Sequence, residues 1–247
     1  MQVVAVLLAA LALAPPEGSG ARAAIPVLVE LFTSEGCSSC PPADAVLARL
    51  VQDQPVPGAE IVALGEHVDY WDDSGWKDSF SSPRFTERQE LYVRRLRVAS
   101  AYTPQLVVAG RYQVLGSDGS AARAAIATAA RTPSGEVTLR VLPGPDSGGA
   151  VDVRASWPGG GDADVVLALV EDHATTRATG GENAGRTLEH AAVVRFLSTI
   201  GSARGAFASR VPIDRRRVSG AGRVVVFVEA PGGGPVLAVA AARLPPR

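Results

Sequence analysis

Two cysteines separated by two residues are the side chains in this sequence best suited to chemistry. Cys37 and Cys40 are the only cysteines among 247 residues, and they lie in the stretch VLVELFTSEGCSSCPPAD at residues 27–44. Such a pair can work as a redox couple, in which one thiolate attacks a disulfide and the second thiol resolves the mixed disulfide. A pair of metal ligands and an inert bridge are the alternatives.

The residues around the pair predict a strand before it and a helix after it. Residues 27–32 form an apolar run typical of a buried strand, and residues 43–52 repeat apolar side chains with helical spacing. Two prolines follow the pair, as suits the first turn of a helix, whose N-terminus favours a thiolate. The nearby acidic Glu35 would raise the pKa of a thiol and oppose that effect. The sequence therefore leaves open whether the pair oxidises or reduces its substrate.

The N-terminal residues predict export. Residues 3–14 form a 12-residue apolar run, shorter than the roughly 20 residues that span a bilayer. An Ala-x-Ala cleavage site follows at residues 21–23, so residues 1–23 are predicted to be a signal peptide. We expect a secreted or periplasmic protein with no membrane span after signal cleavage. In an oxidising compartment two cysteines usually pair, but so small a ring adds little stability, which favours reactivity.

The chain divides into two regions of different pattern. Residues 24–131 alternate strand-like and helix-like segments in the order β-α-β-α-β-β-α, whereas residues 132–247 contain strand after strand, separated mostly by Gly, Pro and Asp turns. We predict an α/β domain followed by a mainly antiparallel β-sandwich domain. A net charge of −1 offers no basic surface, so nucleic acid is not an expected partner.

The first region resembles the thioredoxin fold, because the Cys pair follows the first strand and Thr103-Pro104 opens the third. The whole chain is similar to an uncharacterised bacterial family of secreted, thioredoxin-like proteins carried as a domain of unknown function. Five motifs in order support the resemblance: VELFTSEGCSSCPPAD, HVDYWDDSGWKD, ERQELY, YTPQLVVAG and GENAGRTLEH. The resemblance implies a thioredoxin-like α/β N-terminal domain.

The same resemblance assigns roles to four residues. Cys37 would be the exposed attacking thiol and Cys40 the resolving thiol. Pro104 would be a cis-proline facing the pair, and the backbone of Thr103 would be available to an extended substrate. An ordinary trans-proline at the start of a strand is the alternative for Pro104, since only roughly 5–6% of X-Pro bonds in folded proteins are cis.

Five further side chains are candidates for the site. Trp71, Trp76 and Tyr102 would form an aromatic surface that binds substrate, although the two tryptophans could equally well pin a long loop. His67 and Glu30 are candidate acid/base groups. Glu30 is seven positions before Cys37, whereas the resemblance places such an acid at six, so a structural ion pair is the favoured alternative for Glu30.

These observations favour an exported thiol–disulfide oxidoreductase that acts on protein or small-molecule thiols and disulfides. No cofactor and no resident metal are predicted. One alternative is a copper-binding or copper-delivery module that uses Cys37, Cys40 and His67. Another is a non-catalytic interaction protein in which the β-region binds a partner and the cysteines are vestigial. The resemblance also marks three recurring residues of unknown role: Glu182, Asn183 and Arg186.

Overall fold

The structure, a computed structural model, describes residues 23–145 and 148–245. The predicted signal peptide lies outside these residues except for Ala23. None of the helices within the described ranges has both the length and the apolar character needed to cross a membrane.

The described residues form eleven strands, three α-helices and one short 3-10 helix (Arg215–Arg217). The helices are α1 (Pro41–Asp53), α2 (Pro83–Arg95) and α3 (Gly119–Ala129). The strands of the first half are β1 (Ile25–Thr33), β2 (Ala59–His67), β3 (Gln105–Val108) and β4 (Tyr112–Leu115). Those of the second half are β5 (Glu136–Pro143), β6 (Gly148–Ser156), β7 (Asp162–Arg177), β8 (Thr187–Arg204), β9 (Ala206–Asp214), β10 (Gly222–Glu229) and β11 (Val236–Arg243).

Eight of the strands belong to one mixed sheet in the order β11-β10-β7-β8-β2-β1-β3-β4. Strand β1 is parallel to β2 and antiparallel to β3, while β7, β8, β10 and β11 are joined by antiparallel pairs. The second half meets the first where β8 runs parallel to β2, paired at Gly65 and Val193. Strands β5, β6 and β9 form a separate three-stranded sheet.

The fold class predicted from the sequence, a thioredoxin-like α/β domain followed by a β-sandwich domain, is wrong. Four strands of the second half extend the sheet of the first half across the edge of β2, so the main sheet is common to both regions. The central residues of β7 and β10 are buried on both faces. Strands of an ordinary sandwich expose one face to solvent. The two faces of β7 and β10 are instead both packed against other parts of the protein.

Two apolar cores lie on the two faces of β7 and β10. On one face of β7 and β10, Val165 and Val226 pack with Val151 and Val153 of the three-stranded sheet. On the other face, alternate residues such as Phe227 join the core formed by β1, β2 and the helices. This alternation follows from the two-residue period of a strand.

Helix α2 packs on one face of β1 and β2 and begins at residues typical of a helix start. The side chain of Ser82 accepts a hydrogen bond from the N–H of Arg84, and Pro83 is the first helical residue. Helices α1 and α3 lie on the opposite face: the vacant side-chain position of Gly116 is next to Leu31 of β1 and Ala43 of α1. Neighbouring residues of β1 therefore face different helices.

A buried group of five residues, the arginine cluster, ties α2 to strands from both halves of the chain. Arg88 donates from Nε to Glu30 Oε1 over 2.5 Å and from Nη2 to Glu229 Oε2 over 3.0 Å. The Tyr92 hydroxyl donates to Glu30 Oε2 over 2.5 Å, and Glu66 lies beside the guanidinium, with Arg88 Nε 3.8 Å from its Oε1. Burial, together with the nearby carboxylate of Glu30, raises the pKa of Glu66 well above its ordinary value.

Candidate active site

The two cysteines are joined in a disulfide at residues 37–40, between β1 and α1, and we call these four residues the cysteine turn. Both are buried, with exposed fractions of 1% for Cys37 and 0% for Cys40, whereas Ser38 and Ser39 between them are exposed. Cys37 Sγ lies 3.3 Å from Ser39 Oγ. The turn thus presents its serines to solvent and its sulfur atoms to the protein.

The segment between β7 and β8, residues 178–186, fastens to the cysteine turn; we call it the strap. The Asn183 side-chain amide donates to the carbonyl oxygens of Glu35 and Cys37, over 2.8 Å and 3.0 Å. Arg186 Nη1 in turn donates to Asn183 Oδ1 over 2.8 Å, which fixes the orientation of the amide. Because Asn183 is fully buried, it holds the strap against the turn as an internal crosslink.

A second strap residue, Glu182, accepts a hydrogen bond from the backbone of the cysteine turn. Glu182 Oε2 accepts the backbone N–H of Ser38 over 2.9 Å. Hydrogen bonding from the Ser38 side chain, and secondly from this N–H, lowers the pKa of the Glu182 carboxyl. Gly181 lies against Trp76, whose Cβ is 2.9 Å from the position that a Cβ of Gly181 would take. Two of the three residues that the sequence marked without a role therefore contact the cysteine turn directly.

Five buried polar residues lie beside the turn, and we call them the histidine cluster. His190 Nε2 is 3.3 Å from Glu35 Oε1, and its Nδ1 is 3.6 Å from Asp44 Oδ2. His67 Nδ1 is 2.7 Å from Asp78 Oδ2, which also accepts the backbone N–H of Glu35 over 2.9 Å. The two imidazole rings meet edge to face with centroids 4.7 Å apart. The cluster therefore connects β2, β8 and α1 through residues next to the disulfide.

The ionisation of the histidine cluster follows from its pairing. Burial alone would lower the pKa of His190, but the carboxylates of Asp44 and Glu35 raise it to about 9. Burial alone would raise the pKa of Glu35, but hydrogen bonds from His190 and Trp76 lower it. For Asp78 burial is again outweighed, here by His67, and its pKa is lowered. At neutral pH the cluster thus holds an imidazolium ion between two carboxylates.

The Thr103–Pro104 peptide bond is cis, as the resemblance implied. Pro104 directly precedes β3, which pairs with β1, the strand that leads to the cysteines. The Cβ atoms of Pro104 and Ala43 lie 3.1 Å and 3.0 Å from the position that a Cβ of Gly116 would take. The cis-proline therefore lies close to the first turn of α1.

The aromatic candidates are bonded within the protein. Trp71 Nε1 donates to Thr103 Oγ1 over 2.8 Å, so these two half-buried residues lie together. Trp76 Nε1 donates to Glu35 Oε2 over 2.7 Å and belongs with the histidine cluster. The Tyr102 hydroxyl donates to Gln113 Oε1 over 2.5 Å on β4. Binding of substrate by these residues stays a prediction.

The structure separates the two acid/base candidates. His67 lies in the histidine cluster beside the turn, whereas Glu30 lies in the arginine cluster on the opposite face of β1. Glu30 thus makes the ion pair that was the favoured alternative for it. Sequence reasoning did not place Asp78 or His190 in the site, although His190 is the last residue of the motif GENAGRTLEH.

Metal ligation has no preformed site in the part of the chain that the structure describes. No group of three or more His, Cys, Asp or Glu residues there is placed to hold a metal ion. His67, the third ligand of the copper hypothesis, directs its Nδ1 to Asp78.

The fold and the site define a class of protein with a mixed β-sheet and a buried Cys-Ser-Ser-Cys disulfide beneath a strap. Residues 28–229 match the family described as "Protein of unknown function (DUF1223)", and the chain belongs to this family. A crystal structure of an Agrobacterium tumefaciens protein from a structural genomics consortium is similar, with 30% sequence identity and a TM-score of 0.70. The similarity covers 90% of this chain and 95% of that one. No curated protein matches the sequence.

Proposed function

We propose that the protein is an exported thiol–disulfide oxidoreductase that acts through Cys37 and Cys40 on protein or small-molecule thiols and disulfides. The observation that carries the proposal is the Cys37–Cys40 disulfide at a strand-to-helix turn, because two cysteines two residues apart can exchange between a dithiol and a disulfide. The cis-proline near the first turn of α1 and the charged cluster beside the turn support it further.

Access to the sulfur atoms requires a local movement. Cys37 is 1% exposed while the disulfide is closed, so a substrate can reach its sulfur only after part of the cover shifts. The strap is the segment best placed to shift, because its contacts to the turn come mainly from two side chains, Glu182 and Asn183. Short surface segments of this kind open at low free-energy cost compared with strands of the core.

A proton acceptor is also needed for the second thiol. Cys40 is fully buried, and a buried thiol must lose its proton before it can resolve a mixed disulfide. Asp44 follows Cys40 by one helical turn, and its carboxylate faces His190. We assign the acceptance of the Cys40 proton to the Asp44 carboxylate, because His190 beside it already carries a proton at neutral pH.

The same burial favours one competing function, a non-catalytic interaction protein with an inert disulfide. The two hypotheses differ in what the reduced protein does. A catalytic Cys37 reacts with iodoacetamide at a rate that rises with the population of the open strap. An inert pair reacts only when the protein unfolds.

The test is turnover of a model disulfide by wild type, Cys37→Ser and Cys40→Ser. We expect wild type to catalyse exchange and Cys37→Ser to lose it. Cys40→Ser should accumulate a mixed disulfide at Cys37, detectable as an added mass that a reductant removes. Turnover that persists in Cys37→Ser, or no turnover together with alkylation only at the rate of global unfolding, contradicts the proposal.

Export is tested separately by fusing residues 1–23 to a reporter enzyme that is active only outside the cytoplasm. We expect reporter activity from the fusion and none when charged residues interrupt the apolar run at residues 3–14. An inactive fusion contradicts the exported part of the proposal and leaves the chemistry of the pair unaffected.

A further inference from the structure

The cysteine turn has unusually few backbone donors for a thiolate. The first two residues of α1 are Pro41 and Pro42, which carry no N–H. The next two N–H groups are engaged, because Ala43 and Asp44 both donate to the carbonyl oxygen of Cys40. The N-terminus of this helix therefore offers much less to an anion than a helix start usually does.

The backbone N–H groups between the two cysteines are also largely engaged in other hydrogen bonds. The N–H of Cys40 is bonded to the carbonyl oxygen of Cys37, and the N–H of Ser38 is bonded to Glu182. Among the described residues, only the backbone N–H and the hydroxyl of Ser39 stay close to Cys37 and uncommitted to another protein group. The carboxylate of Glu182 thus occupies the backbone donor of the residue next to Cys37.

The charges around the turn are predominantly negative. Glu182 lies on the strap side, with Arg186 held nearby through Asn183. On the protein side, the imidazolium of His190 is flanked by Glu35 and Asp44. Asp78 faces His67 next to them. The described cations of the site are therefore matched or outnumbered by carboxylates, so a further negative charge on sulfur is disfavoured.

We infer that Glu182 is a tuning residue that makes the Cys37–Cys40 couple a reductant by withholding a backbone donor and adding a negative charge beside the reduced pair. The inference deepens the proposed function and rests on it for its biological meaning. A couple is strongly oxidising when its reduced form is stabilised. Here the reduced form lacks that stabilisation, so the dithiol gives up its electrons readily.

The reaction that this implies is the reduction of a substrate disulfide. The Cys37 thiolate attacks one sulfur of R–S–S–R′, forms a mixed disulfide and releases R′S⁻, which takes up a proton. The Cys40 thiolate then attacks Cys37 Sγ, closes the protein disulfide and releases RS⁻, which is also protonated. Two electrons and two protons pass to the substrate, and an external dithiol donor must reduce the protein again.

The experiment measures the equilibrium between the protein couple and glutathione for wild type, Glu182→Gln and Glu189→Gln. Glutamine keeps an oxygen that can accept the Ser38 N–H but removes the charge. Glu189 is an exposed carboxylate on β8, outside the strap, and is the matched control. We expect wild-type dithiol to reduce oxidised glutathione almost completely. Glu182→Gln should shift the equilibrium towards the protein dithiol by about tenfold, or about 30 mV, while Glu189→Gln should not change it.

A second variant separates charge from a loosened strap. Asn183→Ala removes the crosslink while retaining Glu182, so it should speed alkylation of the reduced protein more than it shifts the equilibrium. An unchanged equilibrium in Glu182→Gln, or wild-type dithiol that persists in oxidised glutathione, overturns the inference. Because equilibrium is measured without turnover, a protein that fails to catalyse exchange but shows the shift contradicts only the proposed function.

Discussion

Two buried charged clusters lie on opposite faces of β1 and β2, and they differ in what can happen to their charges. The arginine cluster surrounds a guanidinium, which keeps its proton at any ordinary pH, with three glutamates and a tyrosine. The histidine cluster contains His190, whose pKa is raised to about 9, so its imidazolium loses the proton as the pH rises above neutral. One cluster is suited to fixed structure and the other to chemistry.

Their connections differ in the same way. The arginine cluster joins α2, β1, β2 and β10, and the contacts of Arg88 within it are to side chains of those elements. The histidine cluster bonds to the backbone just before the cysteine turn, through Asp78 and the N–H of Glu35. A change of charge in the histidine cluster can therefore affect the backbone next to the disulfide. A change in the arginine cluster acts on folding stability.

Arg88→Met tests this division with the largest expected effect. Removing the guanidinium leaves Glu30 and Glu229 buried without their cation, which costs about 4–5 kcal/mol of unfolding free energy. Urea denaturation measures the loss. Arg94→Met, at an exposed position of the same helix, should cost under about 1 kcal/mol. The glutathione equilibrium of folded Arg88→Met should equal that of wild type, and a shift there would break the comparison.

His190→Gln is the matching change in the histidine cluster, with an expected loss of about 3 kcal/mol because Glu35 and Asp44 lose their cation. The pKa of His190 is raised from 6.5 to about 9. Its stabilisation is therefore complete below pH 6.5 and disappears as pH rises through 9. Wild type should lose stability across that window, and the variant should lose much less.

Its control is His173→Gln, an exposed imidazole on β7. Urea denaturation at pH 6, 7.5 and 9 should give the same pH profile for this variant as for wild type. If His190→Gln keeps the full wild-type decline between pH 6.5 and 9, His190 is not the group that titrates.

The local part of the site could be predicted from the sequence, because its signals are local. An apolar run, two cysteines and two prolines define the strand, the turn and the helix start within residues 27–44. Ser82 and Pro83 predict the start of α2 equally directly.

The long-range part could not be predicted in the same way. Glu35 and His190 meet although 155 residues separate them, and nothing in either local sequence indicates the other. The sheet joins the two halves where Gly65 of β2 pairs with Val193 of β8, 128 residues further along the chain. One signal was available: the continuous apolar runs of β7 and β10 indicate burial on both faces, which is untypical of a sandwich strand.

Glu66→Gln examines the arginine cluster with a smaller expected effect of about 1 kcal/mol. Because the pKa of Glu66 is raised in the folded protein, its contribution is most favourable below the ordinary pKa of 4.5 and is lost as pH rises. Glutamine stays neutral, so the variant should match wild type near pH 4.5 and be more stable at pH 8. Urea denaturation at both pH values measures this. A variant less stable than wild type at pH 8 would show that Glu66 is ionised and paired there.

Thr103→Val has the smallest expected effect on stability and the most specific effect on the site. It removes the acceptor of Trp71 Nε1, and because both residues are half-buried, water can replace the lost bond at a cost of about 0.5–1 kcal/mol. Thr128→Val, which removes a hydroxyl bonded on the exposed side of α3, should be close to neutral.

If Trp71 and Thr103 form part of the substrate surface, Thr103→Val should raise KM for a peptide disulfide severalfold without changing the glutathione equilibrium. An unchanged KM would restrict the pair to pinning the loop, and catalysis would then depend on the cysteine turn and the histidine cluster alone.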